Sequence, residues 1–199
     1  MSSGQVSTRS RIVEAAQALI ERGDGALSME RIAREAGLSR QTLYLTFADK
    51  AQLFIAVLRF ADGERGIVDE QARIRAAPNG REALLAIVDM QARLSPAYQR
   101  LADAFELLRR QDVAAEAAWQ DRRRDHLEGC RVVAARLAAD GSLRSGIGVD
   151  TAADVIWGMT SSTVWNDLVV QRGWSADVYR EHLGGMLLRS LTVDSRRAD

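Results

Sequence analysis

The stretch Ser28 to Lys50, SMERIAREAGLSRQTLYLTFADK, constrains the fold more than any other part of the chain. Its punctuation allows only short helices joined by a tight turn. Ser28 stands as an N-cap, a hydroxyl that accepts from a free amide of the first helical turn. Glu30 follows where the helix dipole favours a carboxylate. Ile32, Ala33 and Ala36 make a short apolar face, and Gly37, which takes positive φ at almost no cost, ends the helix sharply. Ser39 caps the next helix. Leu38 before that cap and Leu43 at the fourth helical position close as a hydrophobic staple, which sets the angle between the two helices. Asp49 then caps a third helix, with Gln52 at the capping-box position.

Leu43 and Phe47 lie four residues apart and point inward. Arg40, Gln41 and Tyr44 are left facing out, with Thr42 at the edge. Such side chains on a short, rigid helix suit a nucleic acid: Arg pairs bidentately with guanine, Gln with adenine, and a tyrosine hydroxyl holds a phosphate. Lys50, the single lysine of the chain, sits beside the free amides of the third helix, where a phosphate binds well.

The stretch resembles the DNA-binding domain of tetracycline-repressor-like (TetR family) bacterial regulators. The resemblance rests on an Ile-Ala pair, then Gly-Leu-Ser, then Thr-Leu-Tyr, a Phe three residues after the Tyr, and a Lys three further on. It covers about the first quarter of the chain; the remainder matches only in length and helical layout. The resemblance implies that Arg40, Gln41, Thr42, Tyr44 and Lys50 hold DNA, and Ser28 and Thr46 complete the candidate set. The chain departs from the family pattern at Leu45 and Thr46, where many members carry an aromatic or basic residue and then His. It departs again at Glu30, where some place a DNA-contacting Arg. These departures bear on which bases are read. The competing reading of the motif is an αα-hairpin used only for packing.

The 199 residues suffice for one large domain or two small ones, and 47% hydrophobic with 27% charged residues is the balance of a soluble globular protein. The 27 basic residues equal the 27 acidic ones, so any nucleic-acid site works through local positive groups rather than a basic whole. One cysteine, Cys130, excludes an internal disulfide. The polar start, MSSGQVST, has no apolar signal core, and no run is long enough to span a membrane. The expected location is the cytoplasm.

Read in order, residues 1–7 are expected to be disordered. Thr8 is expected to cap a helix with Ile12, Ala15, Ala16, Leu19 and Ile20 on one face, ended by Gly23 and Gly25. Arg9 and Arg11 near its start are either groove or phosphate ligands or solvated charge. The helix from Asp49 carries Leu53, Phe54, Val57, Leu58 and Ala61 and is extended to Ala76. Pro78-Asn79-Gly80 breaks the chain and Asn79 with Glu82 restarts it. Ser95-Pro96 is expected to restart it once more, because Pro suits the first helical position. Asp112 opens a helix to Ala139, with Arg122, Arg123 and Arg124 on a solvated face, and Ser142 to Val149 is a loop. Asp150 is expected to cap a helix to about Arg172, and Ser175 one to about Val193, with a frayed tail. These last two helices are apolar on more than one side, and their Gly158, Ser161, Ser162, Gly184 and Gly185 suggest close helix–helix approach.

No catalytic dyad, phosphate-binding Gly loop or cofactor motif is found. His126 and Cys130 share a helix face, but two ligands do not close a metal site. The expectation is therefore a non-enzymatic, all-α regulator with neither metal nor cofactor. Residues 1–50 form a three-helix helix-turn-helix domain; residues 51–199 form a larger helical domain for ligand binding and dimerisation. The resemblance implies a repressor released from a palindromic double-stranded DNA operator by a small molecule. A homodimer through 150–172 and 175–193 presents two recognition helices to two half-sites. Met90, Tyr98, Phe105, Trp119, His126, Trp157 and Trp165 are the candidate lining of a cavity for a largely apolar or aromatic effector. The rival readings are an all-helical protein-interaction module and a helical-bundle enzyme.

Overall fold

A computed structural model describes residues 7–23, 28–64 and 66–193. Its helices are α1 (Thr8–Arg22), α2 (Met29–Glu35), α3 (Arg40–Thr46), α4 (Lys50–Glu64), α5 (Ile67–Ala76), α6 (Gly80–Arg109), α7 (Val113–Ala139), α8 (Val149–Met159), α9 (Ser162–Trp165) and α10 (Ala176–Leu191). A π-helical segment, Asn166–Gln171, follows α9 directly. The fold is all-α. Among the described residues the only extended pairing is an isolated bridge between Leu143 and Thr192, and no helix is long and apolar enough to cross a membrane. The chain divides into two compact units, Met1–Gly66 with Arg100–Gln120 and Ile67–Gln99 with Asp121–Asp199.

In the first unit α1 packs against α2, α3 and α4. The face of α1 predicted from its period, Ile12, Ala15, Ala16, Leu19 and Ile20, is buried. Ala51, Leu53, Phe54, Val57, Leu58 and Ala61 of α4 are buried too. Ser7, not Thr8, caps α1: its hydroxyl accepts from the Ser10 amide at 3.0 Å. Gly23 ends α1 in the left-handed region at φ 69°; Gly25, the disorder expected of residues 1–6 and the frayed tail lie outside the described residues. From the C-terminal end of α6 and the start of α7 this unit takes Leu101, Phe105 and Ala115, all buried. Phe105 stacks on Trp119 with ring centroids 5.8 Å apart, and Arg109 links Glu106 (2.6 Å) to Glu116 (2.8 Å).

The second unit is built on one core. It runs through Ile74 of α5, Leu84, Ile87 and Val88 of α6, Cys130, Val133 and Leu137 of α7, Ala152 and Ile156 of α8, Trp165, and Tyr179, Leu183, Leu187 and Leu191 of α10. Gly80 opens α6 against α7. A Cβ at this position would stand 2.6 Å from the Leu137 nitrogen and 2.7 Å from its Cα. The Gly80 amide donates to Asp140 Oδ2 at 2.6 Å, across the same contact. Asn79 caps α6 as predicted, its Oδ1 accepting from the Glu82 amide at 2.9 Å.

Four boundaries differ from the sequence reading. The helix from Asp49 stops at Glu64, and Gly66, at φ 65°, separates it from α5. Helix α6 runs unbroken through Pro96. An interior proline costs about 3 kcal/mol, and here burial on both sides of it offsets that cost, Leu84, Ile87, Val88 and Ala92 before it and Leu101 and Phe105 after. Helix α8 starts from Gly148 with no side-chain cap; Asp150 lies in its first turn and accepts from Arg131 Nε at 3.3 Å. The helix expected to reach Arg172 stops at Thr160, because Ser161 turns extended and caps a new start at the Val164 amide.

Gly80→Ala is expected to destabilise the protein by about 1–3 kcal/mol, since backbone of α7 must move to admit one methyl. Equilibrium urea unfolding checks this. A substitution that left the midpoint unchanged would mean that α6 and α7 do not approach so closely.

Candidate nucleic-acid interface

The turn between α2 and α3 is a full C-terminal capping motif. Gly37 sits at φ 65°. Its amide donates to Arg34 O (3.1 Å) and the Leu38 amide to Ala33 O (2.9 Å), satisfying carbonyls that the helix end would leave bare. Arg11 adds a third bond from α1, donating to Ala36 O at 2.7 Å. Arg11 therefore holds the turn together. Sequence offered it as a groove ligand or a solvated charge, and the backbone carbonyl it meets was out of reach of spacing arguments.

Ser39 caps α3, accepting from the Thr42 amide at 3.0 Å. Leu43 and Phe47 are fully buried, which fixes the rotation of this seven-residue helix about its axis. Arg40, Gln41, Tyr44 and Leu45 are exposed, while Thr42 and Thr46 are half-buried. The Thr46 hydroxyl donates back to Thr42 O at 2.9 Å, and the Thr42 hydroxyl shares a 2.9 Å bond with Ser39 Oγ. The guanidinium of Arg40 lies 5.9 Å from the Tyr44 ring centre. Ser28 is exposed at the start of α2 and caps it, accepting from the Arg31 amide at 3.2 Å. Asp49 caps α4 through the Gln52 amide at 2.8 Å.

Two cations flank α3. Arg9 stacks over the Phe47 ring at 4.3 Å. Lys50 stands with Nζ 5.5 Å from the centre of the Phe54 ring, and partial burial lowers its pKa. Seven candidate residues thus fall on one stretch, with Arg40, Gln41 and Tyr44 outward and Lys50 at the foot of the next helix. Leu45, where the chain departs from the family pattern, is exposed because of how α3 is rotated.

The seven candidates for the cavity lining divide between the units. Phe105 and Trp119 belong to the first, where the Trp119 indole N–H is buried with no hydrogen-bond partner. The other five belong to the second. Trp165 is buried edge-on to Tyr179, ring centroids 4.9 Å apart. Met90 packs on the core, Tyr98 lies under the Arg122 guanidinium at 5.3 Å, and Trp157 lies under Arg123 at 4.6 Å. His126 meets Thr160 at 3.0 Å. The Thr160 hydroxyl already donates to Ile156 O at 2.7 Å, so the His126 ring donates through Nε2 and keeps its lone pair on Nδ1. Burial, then the neighbouring Arg122 and Arg123, lower the His126 pKa to about 4. Burial raises the Cys130 thiol to about 12. A separate cleft of about 400 Å³ on the second unit is lined by Arg73, Glu82, Leu85, Ala86, Asp89, Arg180 and Glu181, and includes none of the aromatic candidates.

Residues 12–57 match the family profile described as bacterial regulatory proteins, tetR family. Over this stretch, about a quarter of the chain, the protein is similar to the tetR family. No curated protein matches it in sequence. Among solved structures it is similar to a protein from Saccharomonospora viridis described as a transcriptional regulator, in complex with choline (19% identity, 95% of this chain and 100% of that one, TM-score 0.78). It is also similar to NalD of Pseudomonas aeruginosa, the secondary repressor of the MexAB-OprM multidrug efflux pump (24% identity, 94% and 96% covered, TM-score 0.71). A third is FadR of Bacillus subtilis, a transcriptional regulator in complex with stearoyl-CoA (20% identity, 89% and 96% covered, TM-score 0.71). At these identities the likeness establishes the fold.

The buried histidine gives the protein a pH signature. Unfolded, His126 takes a proton near pH 6.5; folded, it refuses one until about pH 4. Stability from this group is complete above pH 6.5 and is lost as pH falls toward 4, by at most about 1.4 kcal/mol per pH unit. Urea midpoints at pH 7, 6 and 5 are expected to fall more steeply in the native protein than in His126→Gln. Parallel profiles would place the titration elsewhere.

Proposed function

We propose that this protein is a ligand-responsive repressor: a cytoplasmic homodimer that holds a palindromic operator and releases it when a small, largely apolar or aromatic molecule binds. The observation that carries the DNA-reading part is the register of α3, whose buried Leu43 and Phe47 leave Arg40, Gln41 and Tyr44 outward. Residues 1–50 hold DNA. In this reading Arg40 and Gln41 read base edges, while Tyr44 and Lys50, with Ser28, Thr42 and Thr46, take phosphates or fix the helix that does. Desolvation of Lys50 suits a phosphate partner, since the ammonium gains most from a nearby anion where water is scarce. Residues 51–199 bind ligand and dimerise.

The choline and stearoyl-CoA complexes of structures with this fold support a small-molecule effector. Met90, Tyr98, Trp157 and the polar His126–Thr160 pair are the proposed lining in the second unit; Trp165, 2% exposed, serves the core of that unit, and Phe105 and Trp119 lie in the first unit. The proposed dimer seam uses 150–172 and 175–193. Within it Leu187 is 1% exposed and serves the core. Val170, Val178 and Met186, which are 51%, 38% and 40% exposed, are the residues available to a partner.

The test is selection of duplexes from a random pool, then titration of the enriched duplex. Lys50→Ala is expected to weaken all sequences and to reduce the slope of log affinity against log salt by about one. Arg40→Ala is expected to relax preference at one base pair, by about 1–3 kcal/mol there. An unchanged preference profile in Arg40→Ala would remove its base-reading role. Met186→Glu is expected to give monomers in sedimentation, and a persistent dimer would move the seam. Ligands found by tryptophan fluorescence are expected to lower DNA affinity roughly 5–150-fold. A tight ligand that left affinity unaltered would sink the switch, because equal binding to both states shifts nothing.

A further inference from the structure

Leu45 is 81% exposed, on a helix whose every other large apolar side chain except Tyr44 is buried. At 3.6 residues per turn, Gln41 and Leu45 each point about 160° away from the buried Leu43, on either side of the direction straight out of the domain. They are also i and i+4 neighbours, one stacked over the other along the helix. If α3 lies in the major groove, these two side chains enter it furthest, while Thr42 and Tyr44 flank them toward the groove walls.

Leucine can neither donate nor accept a hydrogen bond. The major-groove edges of guanine, cytosine and adenine present only donors and acceptors; thymine alone adds an apolar group, its C5-methyl. A leucine pressed on the polar edges strips their water and returns no bond, which is costly. Against a methyl the same leucine buries apolar surface on both sides. We infer that Leu45 is a specificity-determining residue that reads a thymine methyl, beside the base that Gln41 meets. A glutamine suits adenine at N6 and N7, so the pair selects an A·T-containing step. The inference rests on the DNA-binding reading above and deepens it.

The experiment uses the full-length protein, the duplex it enriches from a random pool, and a set of copies in which single thymines are replaced by deoxyuridine. That change removes the C5-methyl and keeps base pairing. Native protein is expected to lose roughly fourfold in affinity at one thymine per half-site, the worth of one buried methyl. Leu45→Ala is expected to be indifferent at that thymine and to match the native protein at every other one. Because Leu45 lies in water, Leu45→Ala is expected to keep the native urea midpoint, so a loss of binding is not a loss of folding. If both proteins lose equally at every replacement, or the native protein loses at none, the leucine does not read a methyl while DNA binding stands. If no duplex is enriched, the DNA-binding reading itself falls, and this inference with it.

Discussion

Everything that α3 can do depends on two side chains that never meet the solvent. Leu43 and Phe47 fix the rotation of a helix too short to be stable alone, since fewer than about 12 residues do not hold a helix in water. The capping bonds at Gly37 and Ser39 set where the helix starts; the two apolar anchors set which way it faces. Had the rotation differed by one residue, about 100°, Gln41 and Leu45 would turn sideways and Thr42 or Tyr44 would lead. The chemistry of the outward face is thus written by the inward one.

The second unit follows a different logic. Its core is apolar, with a few polar groups inserted under strict pairing. Thr160, 1% exposed, spends its proton on its own helix and its lone pair on His126. Glu70 is clasped by Arg93 through two 2.7 Å bonds, and that hydrogen bonding holds its carboxyl below the usual range. Such a clasp fixes α5 on α6 with geometry that apolar contact alone does not specify. The neutral overall charge of the chain is consistent with this economy: most arginines near acidic residues are engaged locally, and the cations beside α3 stand over aromatic rings instead.

What sequence discloses and what it hides separate along the range of the interactions. The caps at Ser28, Ser39, Asn79 and Ser175 are legible because a cap acts within three residues. The apolar face of α1 is legible because its period is repeated four times. The contact of Gly80 with Leu137 is not, because nothing near residue 80 announces a helix arriving from 57 positions away. Pro96 misleads for the same reason: a local rule makes it a start, and burial on both sides overrules the rule. Leu187 shows the limit of pattern reading in a helix that is apolar all round, where only the packed structure says which side is inside. For the proposed ligand site, aromatic residues can be counted from sequence, but their division between two units cannot.

The state of Cys130 reaches beyond the protein's own chemistry. With its thiol raised to about 12 and its side chain fully buried, the thiolate, the only form that reacts readily, is on the order of one part in ten thousand at pH 8. The chain has no other cysteine. It is therefore silent toward maleimides and disulfide exchange while folded, and a single cysteine introduced on an exposed position of α3 becomes its sole address for a fluorophore or spin label. Unfolding abolishes that silence, so the rate at which Cys130 is alkylated reports how often the core of the second unit opens.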